Sequence, residues 1–389
     1  MNQVDSALKI LHLSDIHMGS GLAYGSINPA TGINTRLEDF AATLACCIDR
    51  AISEAVDLVL FGGDAFPDAT PPPLHQDLFA AQFQRLSRAG IPTVLLVGNH
   101  DQYGQTQAGS SLSIYRTLGV EGFVVGDRLQ TVTLSTQRGA VQVTTLPWLT
   151  PSGLLAKTDV GEAGSQQART SHPKDWSQDL HAQLLQRLQV ALEGEARQLD
   201  PQIPAILLAH CMVDSARYGS ERHLAVGKGF TVPLGLLAHR AYQYVALGHV
   251  HKHQVLCQQP LMLYPGSPER VDFGEEEETK GFVLAEVSCQ GASYEFIPLP
   301  SRPFRTLRLD LSHESSDVTV QAKLLQAIQA VSIEGSIVRL IYRIWPHQAD
   351  SVDMAALHEA MSPAFSYTIA PDVISREHTR LPGLDPAHQ

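Results

Sequence analysis

Five short polar segments carry the residue types that could do chemistry: Asp15-Ile16-His17, Gly62-Gly63-Asp64, Gly98-Asn99-His100-Asp101, His210, and Gly248-His249-Val250-His251. Each stands at the end of an apolar run, respectively Lys9 to Ser14, Asp57 to Phe61, Val94 to Val97, Ala205 to Ala209 and Tyr242 to Leu247. Mixed carboxylate, imidazole and amide donors suit Mn2+, Fe2+ or Zn2+ better than the all-oxygen cages that hold Ca2+. An aspartate between two such cations can bridge them, and a pair about 3.5–4 Å apart clamps an in-line displacement at phosphorus. Taken singly the motifs say little: Asp-x-His arises by chance, a lone His210 reads as a satisfied structural histidine, and Gly-His-Val-His fits a turn. Five of them at five strand ends point to a shared site.

The apolar runs predict the elements that must position these groups. A run without alternation is a strand covered on both faces, and in open α/β sheets ligands sit outside the carboxyl ends of the strands. Leu37, Phe40, Leu44, Ile48 and Ile52 recur at helical spacing within Arg36 to Val56. A second helix is predicted from Leu74 to Ala89, with Gly90 as its C-terminal stop. Repeated strand and helix units imply parallel strands with right-handed crossovers, so the five ends are expected on one edge of one sheet. Leu129 to Leu134 and Val141 to Leu146 are expected to continue that sheet with antiparallel pairing. Pro151 to Asp175 reads as an exposed loop and Trp176 to Leu199 as a helix. Leu261 to Tyr264, Phe282 to Val287 and Tyr294 to Ile297 read as strands of a second sheet.

The composition shifts at Pro298, Pro300 and Pro303. From Phe304 onward a strand (Thr306 to Leu311), a helix (Thr319 to Val331), a strand (Ile337 to Trp345), a helix (Met354 to Met361) and a last strand (Ser366 to Ile369) make a small α+β unit of about 85 residues, an ordinary size for a small domain. The expected division is therefore residues 1–300 and 301–389, with a frayed tail from Arg380. No apolar run approaches the roughly 18 residues of a membrane span, and Met1 to Lys9 lacks the pattern of a signal peptide. Five cysteines without CxxC spacing fit a reducing compartment. A cytoplasmic protein with no membrane attachment is expected. The net charge of −12 argues against a general nucleic-acid coating protein. It leaves room for a nuclease whose bound metals supply positive charge locally.

In this order the five segments resemble the calcineurin-like metallophosphoesterase superfamily from residue 9 to about 253. A narrower resemblance, to the SbcD-type nuclease subunits of bacterial SbcCD DNA repair complexes, rests on three further stretches. These are Leu11-His12-Leu13-Ser14-Asp15-Ile16-His17, the helix start Asn34-Thr35-Arg36-Leu37-Glu38-Asp39, and Tyr264-Pro265-Gly266-Ser267-Pro268-Glu269-Arg270-Val271-Asp272-Phe273-Gly274-Glu275 followed by Lys280-Gly281-Phe282. The resemblance implies a four-layer α-β-β-α sandwich with a small C-terminal α+β cap domain. It implies that Asp15, His17 and His251 hold a first metal, that Asp64 bridges, and that Asn99, His210 and His249 hold a second. The two ions would be divalent, with Mn2+ foremost. His100 would face the scissile phosphate or protonate the leaving oxygen, and Asp101 would orient His100 or else sit in a surface turn. The implied activity is a DNA nuclease, exonucleolytic from 3′ to 5′ on duplex ends and endonucleolytic on single strands. The implied partners are DNA and an SMC-like ATPase (SbcC), around a homodimer within a heterotetramer.

One departure stands out. Some relatives carry a second histidine just after the bridging aspartate, whereas this chain reads Asp64-Ala65-Phe66-Pro67-Asp68, which leaves the balance of exonuclease and endonuclease activity open. Two other functions stay open as well: a phosphoesterase of small substrates, and a metal-stabilised scaffold that recruits the ATPase without cutting. Among lesser features, Arg217, Arg222, His223 and Lys228 could contact phosphates or lie in a solvated loop. Lys252 and His253 read as surface residues, Glu275 to Glu278 as a solvated hairpin tip, Cys211 as a buried strand residue, and His12 as a packed one.

Overall fold

A computed structural model describes residues 7–103, 109–150, 178–219, 231–314 and 316–374. The apolar runs form strands with no exposed face: β1 (Leu8–Leu13), β2 (Leu58–Phe61) and β3 (Thr93–Leu96) are buried along almost their whole length. They are joined by helix α1 (Thr35–Ser53) and helix α2 (Pro73–Arg88). The Asn34 side chain caps α1 by accepting from the Arg36 amide at 2.8 Å, and Pro73 opens α2, where its missing N–H costs nothing. Helix α3 (Ser113–Leu118) leads to β4 (Phe123–Gly126). Strands β1, β2, β3 and β4 run parallel in that spatial order.

The next strands are β5 (Gln130–Ser135), β6 (Ala140–Leu146), β7 (Ala205–His210), the short β8 (Met212–Val213) and β9 (Thr231–Val232), β10 (Tyr244–Gly248), β11 (Gln254–Gln258) and β12 (Leu261–Tyr264). They are followed by β13 (Gly281–Ser288) and β14 (Gly291–Pro298). Two six-stranded sheets result, in the orders β14-β13-β1-β2-β3-β4 and β11-β12-β10-β7-β6-β5. Two expectations are corrected here. The β5–β6 hairpin belongs to the second sheet, and β13 and β14 belong to the first, where β13 lies antiparallel to β1 with Leu8 opposite Val287. A buried run names a strand, but its pairing partner is decided by packing across the whole chain.

The sheets pack face to face. Ile10, Leu58, Leu60, Val94 and Leu96 of one meet Val143, Ile206, Leu208, Tyr244 and Ala246 of the other. The opposite residues of the same strands point outward: Leu11, Leu13, Val59, Phe61 and Leu95 pack on Phe40 and Leu44 of α1 and on Phe79 and Phe83 of α2. On the far side, Leu207, Ala209, Val245 and Leu247 cover Leu188 and Leu192 of the helix Gln178–Ala196. The period of two along each strand therefore serves two cores at once, and the architecture is a four-layer α-β-β-α sandwich. Among the described residues no helix is long and apolar enough to cross a membrane.

The chain divides into two compact units, Met1–Ser301 and Arg302–Gln389. In the second, β15 (Phe304–Asp310), β16 (Ile337–Ile344) and β17 (Ser366–Val373) pair in parallel. Leu307, Leu340 and Ile344 share a core with Leu324 and Ile328 of the helix Asp317–Gln329 and with Leu357 and Met361 of the helix Met354–Met361. The loop expected at Pro151 to Asp175, the stretch holding Arg222, His223 and Lys228, and the tail from Arg380 lie outside the described residues.

Candidate metal centre

Both sheets contribute to one site, which corrects the expectation of a single sheet edge. Asp15, Asp64 and Asn99 follow β1, β2 and β3 of the first sheet, while His210 ends β7 and His249 follows β10 of the second. The parallel registers Leu13 with Phe61, and Gly248 with His210, bring these ends level within each sheet. Close approach between the sheets needs Gly248, because a Cβ there would lie 2.1 Å from the Gly62 carbonyl oxygen.

The backbone at these ends is unusual. Asp15, His17, Asp64 and His249 have φ of 55°, 47°, 59° and 107°, and Ala55 is the one other described non-glycine residue with positive φ. Such conformations cost of order 1–3 kcal/mol each and persist where surrounding bonds hold them. The Asp15 amide donates to Gly63 O at 2.9 Å and the His17 amide to Asp64 O at 3.1 Å. The His249 amide donates to the Asp15 carboxylate, 3.1 Å from each oxygen.

Asp101 sits beneath this turn. Its carboxylate accepts from the amides of Asp64 (2.8 Å), Ala65 (3.0 Å) and Gly98 (2.9 Å) and from Ser111 Oγ (3.1 Å). It is fully buried, so the surface-turn reading is wrong, and its oxygens are committed to three backbone amides and the Ser111 hydroxyl rather than to His100. His100 is oriented instead by the Pro67 carbonyl, which accepts from Nδ1 at 2.7 Å. Burial pushes Asp101 up to about 6, the Asp64 charge adding to the effect and the amides opposing it.

Three groups of donor atoms converge, each within 4.8 Å: Asp15, His17 and His251; His17, Asp64 and His100; Asp64, His210 and His249. Asn99 joins them, its Oδ1 lying 3.0 Å from His210 Nε2 and 2.9 Å from His249 Nδ1. His210 Nδ1 is tied to the Gly62 carbonyl at 2.6 Å, so its Nε2 is the atom presented inward. Asp64 Oδ2 stands between the groups, 3.7 Å from His17 Nε2 and 3.4 Å from His210 Nε2, while its Oδ1 accepts from the His100 amide at 2.9 Å.

Burial works against charge on Asp64, but His210, His100 and His17 outweigh it and hold the carboxyl well below the usual range. Burial raises Asp15 against the pull of His210 and His251. His17 and His249 are lowered, first by burial and then by neighbouring imidazoles. Burial opposes charge on His210 too, yet Asp64 raises it to about 9.

The donor set fits divalent cations. The Nε2 atoms of His17 and His251 lie 3.0 Å apart, and two imidazole lone pairs face one another stably only with a proton or a cation between them. Imidazole, carboxylate and amide oxygen together match Mn2+, Fe2+ or Zn2+.

All the residues expected in the site are brought together, Asp101 as its support. Three neighbours were not foreseen. Glu275, expected at a solvated tip, is fully buried against His251, and Lys280 is buried beside it. Trp148 covers the His249 ring at 4.8 Å. The Lys280-Gly281-Phe282 stretch was a signal of sorts, since a lysine beside an acid run can neutralise it. His12 is packed, as read; Cys211 is buried; Arg217 and Lys252 are exposed. His253 is half-buried, stacked on Phe296 at 4.3 Å.

A sandwich whose two sheets deliver carboxylates, imidazoles and an amide to one edge defines a metallophosphoesterase. The chain belongs to the calcineurin-like phosphoesterase family, whose model matches residues 8–253, and members of that family bind divalent metals. It is 26% identical over 282 residues to the SbcD component of the SbcCD nuclease of Bacillus subtilis, covering 72% of this chain and 66% of that one. It is 26% identical over 324 residues to the protein of the same name from Staphylococcus saprophyticus, covering 82% and 74%. Over 96 residues it is 33% identical to the DNA double-strand break repair protein Mre11 of Sulfurisphaera tokodaii, covering 25% and 23%.

Proposed function

We propose that this chain is a metal-dependent DNA nuclease, exonucleolytic from 3′ to 5′ on duplex ends and endonucleolytic on single strands, working as the nuclease subunit beside an SMC-like ATPase. The observation that carries the reading is the place of Asp64, whose carboxylate belongs to a donor group on either side. Asp15, His17 and His251 would hold one divalent cation, Asn99, His210 and His249 a second, and Asp64 both. When bound, such cations, with Mn2+ foremost, stabilise charge on phosphoryl oxygens and lower the pKa of water.

The chain's own residues supply the rest. In its protonated form, with Nδ1–H given to the Pro67 carbonyl, His100 has Nε2–H free for the substrate. There it holds a phosphoryl oxygen by a hydrogen bond or passes a proton to the leaving sugar oxygen. Asp101 pins the turn that carries Asp64, and Trp148 closes the side of His249. A DNA substrate is supported by the likeness to SbcCD nuclease components over most of the chain. An ATPase partner accords with a net charge of −12, since a chain of this acidity has little phosphate affinity of its own.

The test incubates the full chain in Mn2+, alone and with its ATPase, with end-labelled duplex, circular single-stranded DNA and a small chromogenic phosphate ester. Both DNAs should be cut, and His100→Ala should slow cleavage by about 10²–10⁴-fold. Cleavage of the ester alone would replace the nuclease with a small-substrate phosphoesterase. Full activity in Asp64→Ala would remove the site assignment, and metal binding without any cleavage would favour a scaffold.

A further inference from the structure

Behind His251 lies a buried charged pair that the site chemistry above does not use. Glu275 ends the short turn Phe273–Glu275, which Asp272 caps by accepting from the Gly274 amide at 2.6 Å. Its two carboxylate oxygens face different partners. Oε1 accepts from His251 Nδ1 at 2.6 Å. Oε2 is ion-paired with Lys280 Nζ at 2.8 Å and accepts from the Val271 amide at 3.0 Å. Lys280, itself buried, also donates to Ser267 Oγ at 2.8 Å, to the His251 carbonyl at 3.2 Å and to Glu278 at 2.7 Å. A buried charge pair is retained at little cost when further hydrogen bonds complete it, as here.

We propose that Glu275 is a positioning residue for the candidate metal centre. It holds the His251 proton on Nδ1, so that Nε2 is presented bare toward Asp15 and His17, and Lys280 fixes the side from which the carboxylate is approached. The proposal rests on the reading of Asp15, His17 and His251 as a cation site. A ligating imidazole takes its tautomer and ring orientation from the partner of its other nitrogen, and here that partner is anchored at its far oxygen by two donors.

Glutamine separates this role from simple space filling. It has the shape of glutamate but must turn its oxygen to one side and its NH2 to the other. Two donors, Lys280 Nζ and Val271 N, wait on the Oε2 side, so the oxygen goes there and the NH2 meets His251 Nδ1. That reverses the tautomer: the proton moves to Nε2 and the lone pair facing Asp15 and His17 is lost.

The experiment titrates Mn2+ into the full chain by calorimetry for the wild type, Glu275→Gln and His251→Ala. It also records 15N-histidine spectra of the Zn2+-loaded wild type. Glu275→Gln should weaken one of two Mn2+ sites by about 10–100-fold and leave the other as it was. Wild-type affinity at both sites in Glu275→Gln, with one site lost in His251→Ala, overturns the role of Glu275 and leaves the cation site standing. Wild-type affinity in both variants overturns the cation site itself, and the proposal with it. Should Glu275→Gln fail to fold, the wild-type spectrum decides. A protonated Nδ1 on His251 with Nε2 metal-bound upholds the proposal, and a metal-bound or unprotonated Nδ1 overturns it.

Discussion

Removing the Asp101 carboxylate should loosen the metal centre from beneath without touching a ligand. Its Oδ2 accepts two amides, Asp64 N and Gly98 N, and its Oδ1 accepts Ala65 N and Ser111 Oγ. The residue is fully buried, so water does not take its place. In Asp101→Ala three amides lose their partner, and at about 1–3 kcal/mol for each unsatisfied buried group the loss is at least ~3 kcal/mol. That is a large part of the ~5–15 kcal/mol that holds an ordinary domain folded. Asp101→Asn is milder. Its amide oxygen goes to the Oδ2 side, where two donors wait, the Ser111 hydroxyl turns to accept from the new NH2, and the Ala65 amide alone is left unmatched, for about 1–3 kcal/mol.

Hydrogen exchange followed by mass spectrometry reads this locally, because protection of the amides of Asp64, Ala65 and Gly98 reports the opening of this turn. At tenfold per 1.4 kcal/mol, the asparagine variant should exchange about 5–150 times faster there, and the alanine variant faster still. Wild-type protection at these amides in Asp101→Ala would refute the reasoning. So would an asparagine variant more damaged than the alanine one.

Two further outcomes follow from the same geometry. His12 is fully buried between the sheets, accepting from Tyr244 OH at 2.7 Å and donating Nε2–H to the Leu247 carbonyl at 3.1 Å, and burial lowers it from 6.5 to about 3. Between those values the unfolded chain takes up a proton that the folded chain refuses, so stability falls as pH drops below 6.5, by up to ~1.4 kcal/mol per unit. Calorimetric melting of His12→Leu should show a shallower acid slope than the wild type from pH 6.5 to 4, and parallel slopes would count against it. Gly98→Ala places a Cβ 2.1 Å from Asp64 Oδ1 and 2.6 Å from its amide nitrogen. It should weaken Mn2+ binding by about 10–100-fold, as loss of ligand support does, and an unchanged calorimetric titration would show that Asp64 moves aside freely.

The five strand ends were legible because a strand buried on both faces leaves a short run of uninterrupted apolar residues, and a carboxylate or imidazole just beyond it stands out. The end of helix α2 was legible for a similar reason, since Gly90 is a local stop signal. What the sequence by itself determined, then, was which residues form strands and which polar groups end them. Whether those strands lie in one sheet or two was decided only in the folded chain. Strand β13 is mostly apolar and buried, as β12 is, yet it joins β1 across some 270 residues of chain, and pairing at such separations depends on how all the layers close.

The supporting residues were hidden for the same reason. Asp101 looks like any aspartate after a turn until three amides from two segments converge on it. Glu275 heads a run of four acids whose local pattern is that of a solvated tip, and only the burial of Lys280 and His251 beside it gives its charge a place inside the protein. A sequence names the groups that can hold a metal. Tertiary packing decides which backbone amides, carbonyls and charges hold those groups in place, because those partners are chosen by distance in space rather than by position in the chain.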